Sequence, residues 1–315
     1  MKKCLLIGGA GFIGSNLAVC LDNAGYDVTI CDYIDKECLP DRLLKLKYKC
    51  LNYFEEAIND DIIRQQDMIV LLISSVGPNS SMEKPEQCYG KDIIRMLKLL
   101  EQIRKCAVNR LVFISSGGTV YGNQNRDKFR EDMETFPINH YGIMKLTQEK
   151  ILLMYNNLYG MNNVIFRLAN PYGPGQRVSS GIGAVTTFLQ NIMNGEKIHI
   201  YGEGKAVRDY IYIDDAVNMM RMLLDKEENE CEIPVFNIGT GVGKSIAEVL
   251  EIVEKVTKRK AEVEFLGGRE IDVSRNVLDI SKICRVIGDY KCRILEDGVG
   301  EYYNLLRSKL DLKQG

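Results

Sequence analysis

The chain has 315 residues, enough for one large domain or two modest ones. At that size folding buries roughly 75% of the unfolded surface, so stability requires neither disulfides nor a metal. Hydrophobic residues at 45% and charged residues at 27% exclude a disordered or fibrous chain. Lys+Arg 41 against Asp+Glu 43 leaves a net charge of −2, which excludes the basic face of a general nucleic-acid binder.

Taken in order, the first half alternates two periods. Apolar runs at Cys4–Ile7, Val28–Cys31, Met68–Ile73, Leu111–Ile114 and Val164–Leu168 read as buried parallel strands. Amphipathic stretches at Phe12–Ala24, Asp92–Ala107 and Tyr141–Tyr159 read as helices, the first and last stopped by Gly25 and Gly160. A third strand near Tyr48–Tyr53 is poorly marked. This repetition predicts an α/β fold, a doubly wound parallel sheet of Rossmann type over residues 1–169. Residues 170–183 are rich in Pro, Gly and Ser and read as a junction loop. Beyond it, strands at Lys197–Tyr201, Val235–Ile238 and Glu262–Phe265 and helices at Asp214–Leu224, Ser245–Thr257 and Leu295–Leu306 predict a smaller α/β lobe over 170–315, with segments near 207–240 returning to the first domain.

Ten cysteines stand singly, with no C-x-x-C pair, as buried thiols in a reducing compartment do. The chain does not open on a signal-peptide pattern, and its longest apolar stretch falls far short of the ~20 residues of a membrane helix. A soluble, cytoplasmic protein with no membrane partner is expected. Two histidines, His140 and His199, argue against a histidine metal site, and none is expected.

Gly8-Gly9-Ala10-Gly11-Phe12-Ile13-Gly14 follows the first strand and opens the first helix, the context a phosphate-binding turn requires. The glycines allow a tight turn and close approach of a diphosphate to the helix N–H groups. Asp32 ends the second strand, where a carboxylate accepts hydrogen bonds from a ribose and repels a 2′-phosphate, favouring NAD over NADP. Tyr-x-x-x-Lys occurs at Tyr141/Lys145 and at Tyr201/Lys205. Only the first begins a helical stretch, which stacks Lys145 one turn along from Tyr141. An ammonium there is expected to lower the phenol pKa, so that Tyr141 takes a proton from a sugar or alcohol hydroxyl.

With these come SSGGTVYG at 115–122, HYGIMK at 140–145, RLANPYGPGQ at 167–176, IYGEGKAVRDYIYIDD at 200–215, FNIGTG at 236–241 and REIDV at 269–273. On these ordered motifs the chain resembles the extended short-chain dehydrogenase/reductase family, and within it the nucleotide-sugar epimerases of the UDP-glucose 4-epimerase type. The resemblance implies that Gly8, Gly11, Phe12, Ile13 and Gly14 hold the NAD diphosphate. It makes Tyr141 the catalytic base, with Lys145 on the nicotinamide ribose. Asn170 would touch the substrate, Arg208 and Arg269 would clamp its diphosphate, and Asp272 would meet the uridine ribose.

Several positions depart from the family. Its sugar-binding Ser or Thr is Gly117 here. In an extended chain Thr119 faces the same side, so Thr119 is the expected substitute and Ser116 the other candidate. Ile7 stands for a Thr, Leu71-Leu72-Ile73-Ser74 for H-x-A-(A/G), and Asp92 for an Asn in the following helix. Asn276, seven residues after Arg269, falls where family members bound the sugar 2-substituent, and its small size predicts that N-acetyl sugars are admitted.

The expected activity is NAD-dependent epimerisation at carbon 4 of a UDP-hexose through a 4-keto sugar. A decarboxylase, 4,6-dehydratase, 4-reductase or non-catalytic NAD(H) sensor are the alternatives, although Gly118 and Thr119 stand where dehydratases carry Asp-Glu. A homodimer built on two long helices is expected, with Met96, Leu100, Ile103, Ile151 and Met154 as interface or core.

Overall fold

The structure, a computed structural model, describes residues 1–177, 183–226, 234–268 and 273–314. Among them thirteen strands follow in order: β1 (Lys3–Ile7), β2 (Asp27–Asp32), β3 (Lys47–Cys50), β4 (Met68–Leu71), β5 (Leu111–Ser116), β6 (Val164–Leu168), β7 (Asn170–Tyr172), β8 (Ile198–Tyr201), β9 (Val207–Tyr212), β10 (Val235–Ile238), β11 (Gly243–Ser245), β12 (Val263–Leu266) and β13 (Arg275–Asn276).

Seven of them form a parallel sheet in the order β10-β6-β5-β4-β1-β2-β3, flanked by helices as in a Rossmann-type fold. The strand order reverses beside β1, the switch point outside which such sheets bind ligands. Successive side chains of a strand face opposite ways. Leu6 therefore enters one core, with Leu17, Leu21 and Met220 of the Phe12–Asn23 and Ile213–Leu224 helices. Its neighbour Leu5 enters the other, with Leu100 and Leu152 of the Ile94–Lys105 and His140–Tyr159 helices. Burial on both faces is why these strands read as unbroken apolar runs.

β3 is mostly exposed at the sheet edge, so no apolar run marks it. β10, from beyond the junction, forms the other edge. β7, β9, β11 and β13 make a small sheet, β8 and β12 a two-stranded one, and a third core around Tyr172, Phe188, Ile198, Tyr210 and Val249 holds this part together.

One expectation is corrected and one pair of alternatives is resolved. The helix expected from Asp92 begins as a π-helical turn, Cys88–Ile93, before Ile94–Lys105. Met96, Leu100 and Ile103 are wholly buried against the sheet and have no surface to offer a second chain, whereas Met154 is exposed and Ile151 partly so.

Candidate active site

The glycine turn is built by exclusion. Gly8 adopts φ +83°, and a Cβ on Gly14 would stand 2.4 Å from the Gly8 carbonyl oxygen. No L side chain fits either position. Gly11 caps the Phe12–Asn23 helix without a side-chain acceptor, leaving the N–H groups of Phe12, Ile13 and Gly14 without helical partners. A positive helix end with no side-chain cap suits a diphosphate. Buried Asp32 stands at the end of β2. It accepts from the Ala10 N–H at 2.9 Å and from the Tyr33 N–H at 2.8 Å, so it also pins the turn.

The His140–Tyr159 helix is capped by Asn139, whose side chain accepts from the Gly142 N–H at 2.8 Å. It carries Tyr141 and, one turn on, Lys145. Buried Lys145 donates to the Ile114 carbonyl of β5 at 3.0 Å, and its Nζ lies 5.6 Å from the centre of the Tyr141 ring. Burial draws the Lys145 pKa down to about 8, opposed by the charges of Asp92 and Glu149. Contrary to expectation, the Tyr141 hydroxyl sits above the ordinary tyrosine value. Burial is the main cause and Asp92 adds to it, while the neighbouring Ser74 hydroxyl opposes. Desolvation of a phenolate is thus the dominant effect at this hydroxyl.

At the end of β5 the chain does not stay extended. Gly117–Val120 is a short helical turn, so positions 117 and 119 do not share a side. The Thr119 hydroxyl is buried without a hydrogen-bond partner. Ser116 is partly exposed and makes no side-chain hydrogen bond among the described residues. A Cβ on Gly118 would lie 3.9 Å from Ser116 Oγ and 3.8 Å from Asn170 Oδ1, so both side chains face one space. Asn170 is held on β7 by donating to the Asp209 carbonyl at 3.1 Å.

Arg208 on β9 and Asn276 on β13 pair in register, and Arg208 Nη1 donates to the Val207 carbonyl at 2.9 Å. Asn276 is wholly buried and donates to the Gly117 carbonyl at 2.8 Å, with its Oδ1 unpartnered. Arg269 and Asp272 lie outside the described residues.

Behind the site runs a network the sequence did not suggest. Glu149 and Arg167 pair at 2.7 Å, 1% and 5% exposed, with Ser115 donating to Glu149 and Arg167 to the Tyr121 hydroxyl. The available signal was spacing: Glu149 follows Lys145 by four residues, on the same helix face. Asp92 likewise takes the Ser75 N–H and hydroxyl, fixing the loop after β4.

Sheet, glycine turn and helical Tyr–Lys pair define a dinucleotide-dependent enzyme of the short-chain dehydrogenase build. The family model for the NAD dependent epimerase/dehydratase family matches residues 4–239, and the chain belongs to that family. NAD is its cofactor. Among solved structures, the UDP-glucose 4-epimerase of Thermotoga maritima with UDP-glucose superposes with a TM-score of 0.87 at 29% identity, covering 98% of this chain and 100% of that one. The UDP-N-acetylglucosamine 4-epimerase of Methanobrevibacter ruminantium, with UDP-N-acetylmuramic acid, gives 0.88 at 25%, covering 98% and 99%. A dTDP-4-dehydro-6-deoxyglucose reductase of Escherichia coli is 27% identical over 312 residues, 97% of this chain and 98% of its own. Among the described residues no helix is long and apolar enough to cross a membrane.

Proposed function

We propose that the protein interconverts the carbon-4 epimers of a UDP-hexose, UDP-glucose and UDP-galactose, and their N-acetyl forms. The observation that carries this reading is the shared space faced by Ser116 and Asn170 at the end of β5, beside the helix of Tyr141 and Lys145. The relatives that act on UDP-glucose and UDP-N-acetylglucosamine support it.

Bound NAD supplies a hydride acceptor and, when oxidised, a positive charge. Gly8, Gly11, Phe12, Ile13 and Gly14 hold its diphosphate and Asp32 its adenosine ribose. Lys145 holds the nicotinamide ribose and favours the Tyr141 phenolate, which takes the proton of the sugar 4-hydroxyl and later returns it. Ser116, rather than Thr119, orients that hydroxyl. Asn170, Arg208, Arg269 and Asp272 hold the nucleotide while the 4-keto sugar turns its other face, a division in which remote contacts anchor and the reacting ring stays free. Residues 1–169 carry the cofactor and 170–315 the sugar nucleotide. We place the protein in the cytoplasm as a homodimer through the exposed side of the His140–Tyr159 helix, where Met154 and Leu158 lie open.

The test is incubation with NAD and a panel of UDP-hexoses, with products identified by NMR, for the wild type and Tyr141→Phe. Epimers from the wild type and none from Tyr141→Phe support the proposal. A 4-keto-6-deoxy product, loss of carbon dioxide, or stoichiometric consumption of reduced cofactor would instead assign a dehydratase, decarboxylase or reductase. Binding of NAD(H) with no turnover in either protein would make it a sensor.

A further inference from the structure

Arg42 lies in the segment between β2 and β3, partly buried against the Phe12–Asn23 helix. Its Nη1 donates to Asn16 Oδ1 at 2.8 Å and its Nη2 to Ser15 Oγ at 2.9 Å. Asn16 in turn donates to the carbonyls of Phe12 at 2.8 Å and Pro174 at 2.9 Å. Gly175, at φ +92°, passes so close that a Cβ there would lie 3.1 Å from Nη2 and 3.8 Å from the Phe12 ring. The guanidinium is thus fixed from three sides.

Its charge is not met. Both partners are neutral, and among the described residues no carboxylate forms an ion pair with it within 4 Å. Burial disfavours its charged form, and the charge of Asp214 only partly offsets this. A guanidinium has five N–H donors, two of which are used here. Partly desolvated and without a counter-charge, it is costly unless an anion joins it.

Its position says which anion. Phe12, Ser15 and Asn16 share one helix face, and Ser15 stands only about 4.5 Å along the axis from Phe12. The unpartnered N–H groups of residues 12–14 are therefore within a turn of Arg42. A helix end contributes roughly half a positive charge, whereas a diphosphate carries two negative ones.

We propose that Arg42 is a second anchor for the cofactor diphosphate, completing in charge what the glycine turn begins in hydrogen bonds. This rests on the dinucleotide reading of the Gly8–Gly14 turn. The fork geometry suits two phosphate oxygens, which a lysine would meet only as a point charge.

Calorimetric titration of wild type, Arg42→Gln and Arg42→Lys with NAD, ADP-ribose, adenosine and NADP, beside the thermal midpoint of each protein without ligand, tests it. Arg42→Gln should bind NAD and ADP-ribose tenfold or more weakly and adenosine within twofold of wild type, with Arg42→Lys between. NAD affinity within twofold of wild type in Arg42→Gln would overturn the inference, reducing Arg42 to a latch on the Pro174–Gly175 loop, which a lower midpoint would then reveal. Equal weakening for adenosine would also overturn it, and loss confined to NADP would move the contact to the 2′-phosphate. Failure of the wild type to bind NAD would overturn the cofactor reading itself, a result separate from the others.

Discussion

Asn276 donates its side-chain amide to the Gly117 carbonyl across 2.8 Å, so the residue proposed to bound the sugar 2-substituent is bonded to the turn on which a sugar-binding hydroxyl is missing. The residue expected to set pocket size and the position of the turn are therefore linked. Asn276→Ala removes this buried hydrogen bond, at about 1 kcal/mol. We expect lower stability in urea and a fall in kcat/KM on both UDP-glucose and UDP-N-acetylglucosamine. A change confined to the N-acetyl substrate would show that Asn276 only sets width.

A side chain at position 117 would meet a crowded space. A Cβ on Gly117 would stand 2.7 Å from Leu278 Cδ1 and 3.1 Å from the Arg167 carbonyl oxygen. Gly117→Ser should cost about 1–3 kcal/mol by overpacking. In a double-mutant cycle, Leu278→Ala should cost less on the Gly117→Ser background than on wild type. Simple additivity would locate the strain elsewhere.

Ser116 and Thr119 separate by burial. Thr119→Val replaces a buried, unpartnered hydroxyl with a methyl and should raise stability by about 1 kcal/mol with near-normal turnover. Ser116→Ala should lower turnover at least tenfold with little change in stability. Reversed results would return the sugar contact to Thr119.

The parallel sheet was legible because its strands are buried on both faces and its glycine turn has no alternative residue at Gly14. The helical placement of the candidate site was legible where one motif fixes one position, as for Tyr141 and Lys145. The site was not legible where a local turn overrides the spacing rule, as at Gly117–Val120, or where partners lie far apart in sequence. Met96 and Leu100 show the same limit: a helix face reads as apolar whether it meets the sheet or a second chain. Arg42 carries no motif, and only the packing of Ser15, Asn16 and Gly175 around it marks it.

Lys145 gives a pH dependence of fixed sign. Its pKa of about 8 in the folded protein lies below the ordinary lysine value, so between about 8 and 10.5 the unfolded chain binds more protons. Burying the ammonium costs stability in full below about pH 8, and the cost fades as pH rises toward 10.5. Wild type should therefore gain on Lys145→Met by up to about 3 kcal/mol over that window, read from urea unfolding at several pH values. The same proton governs chemistry in the opposite direction. Tyr141 is held protonated by burial; in the proposed mechanism the Lys145 ammonium favours its phenolate, so kcat/KM should fall on the alkaline side with an apparent pKa near 8. A stability difference flat from pH 7 to 10 would place the Lys145 proton above this window, and the alkaline fall in activity would then need another group.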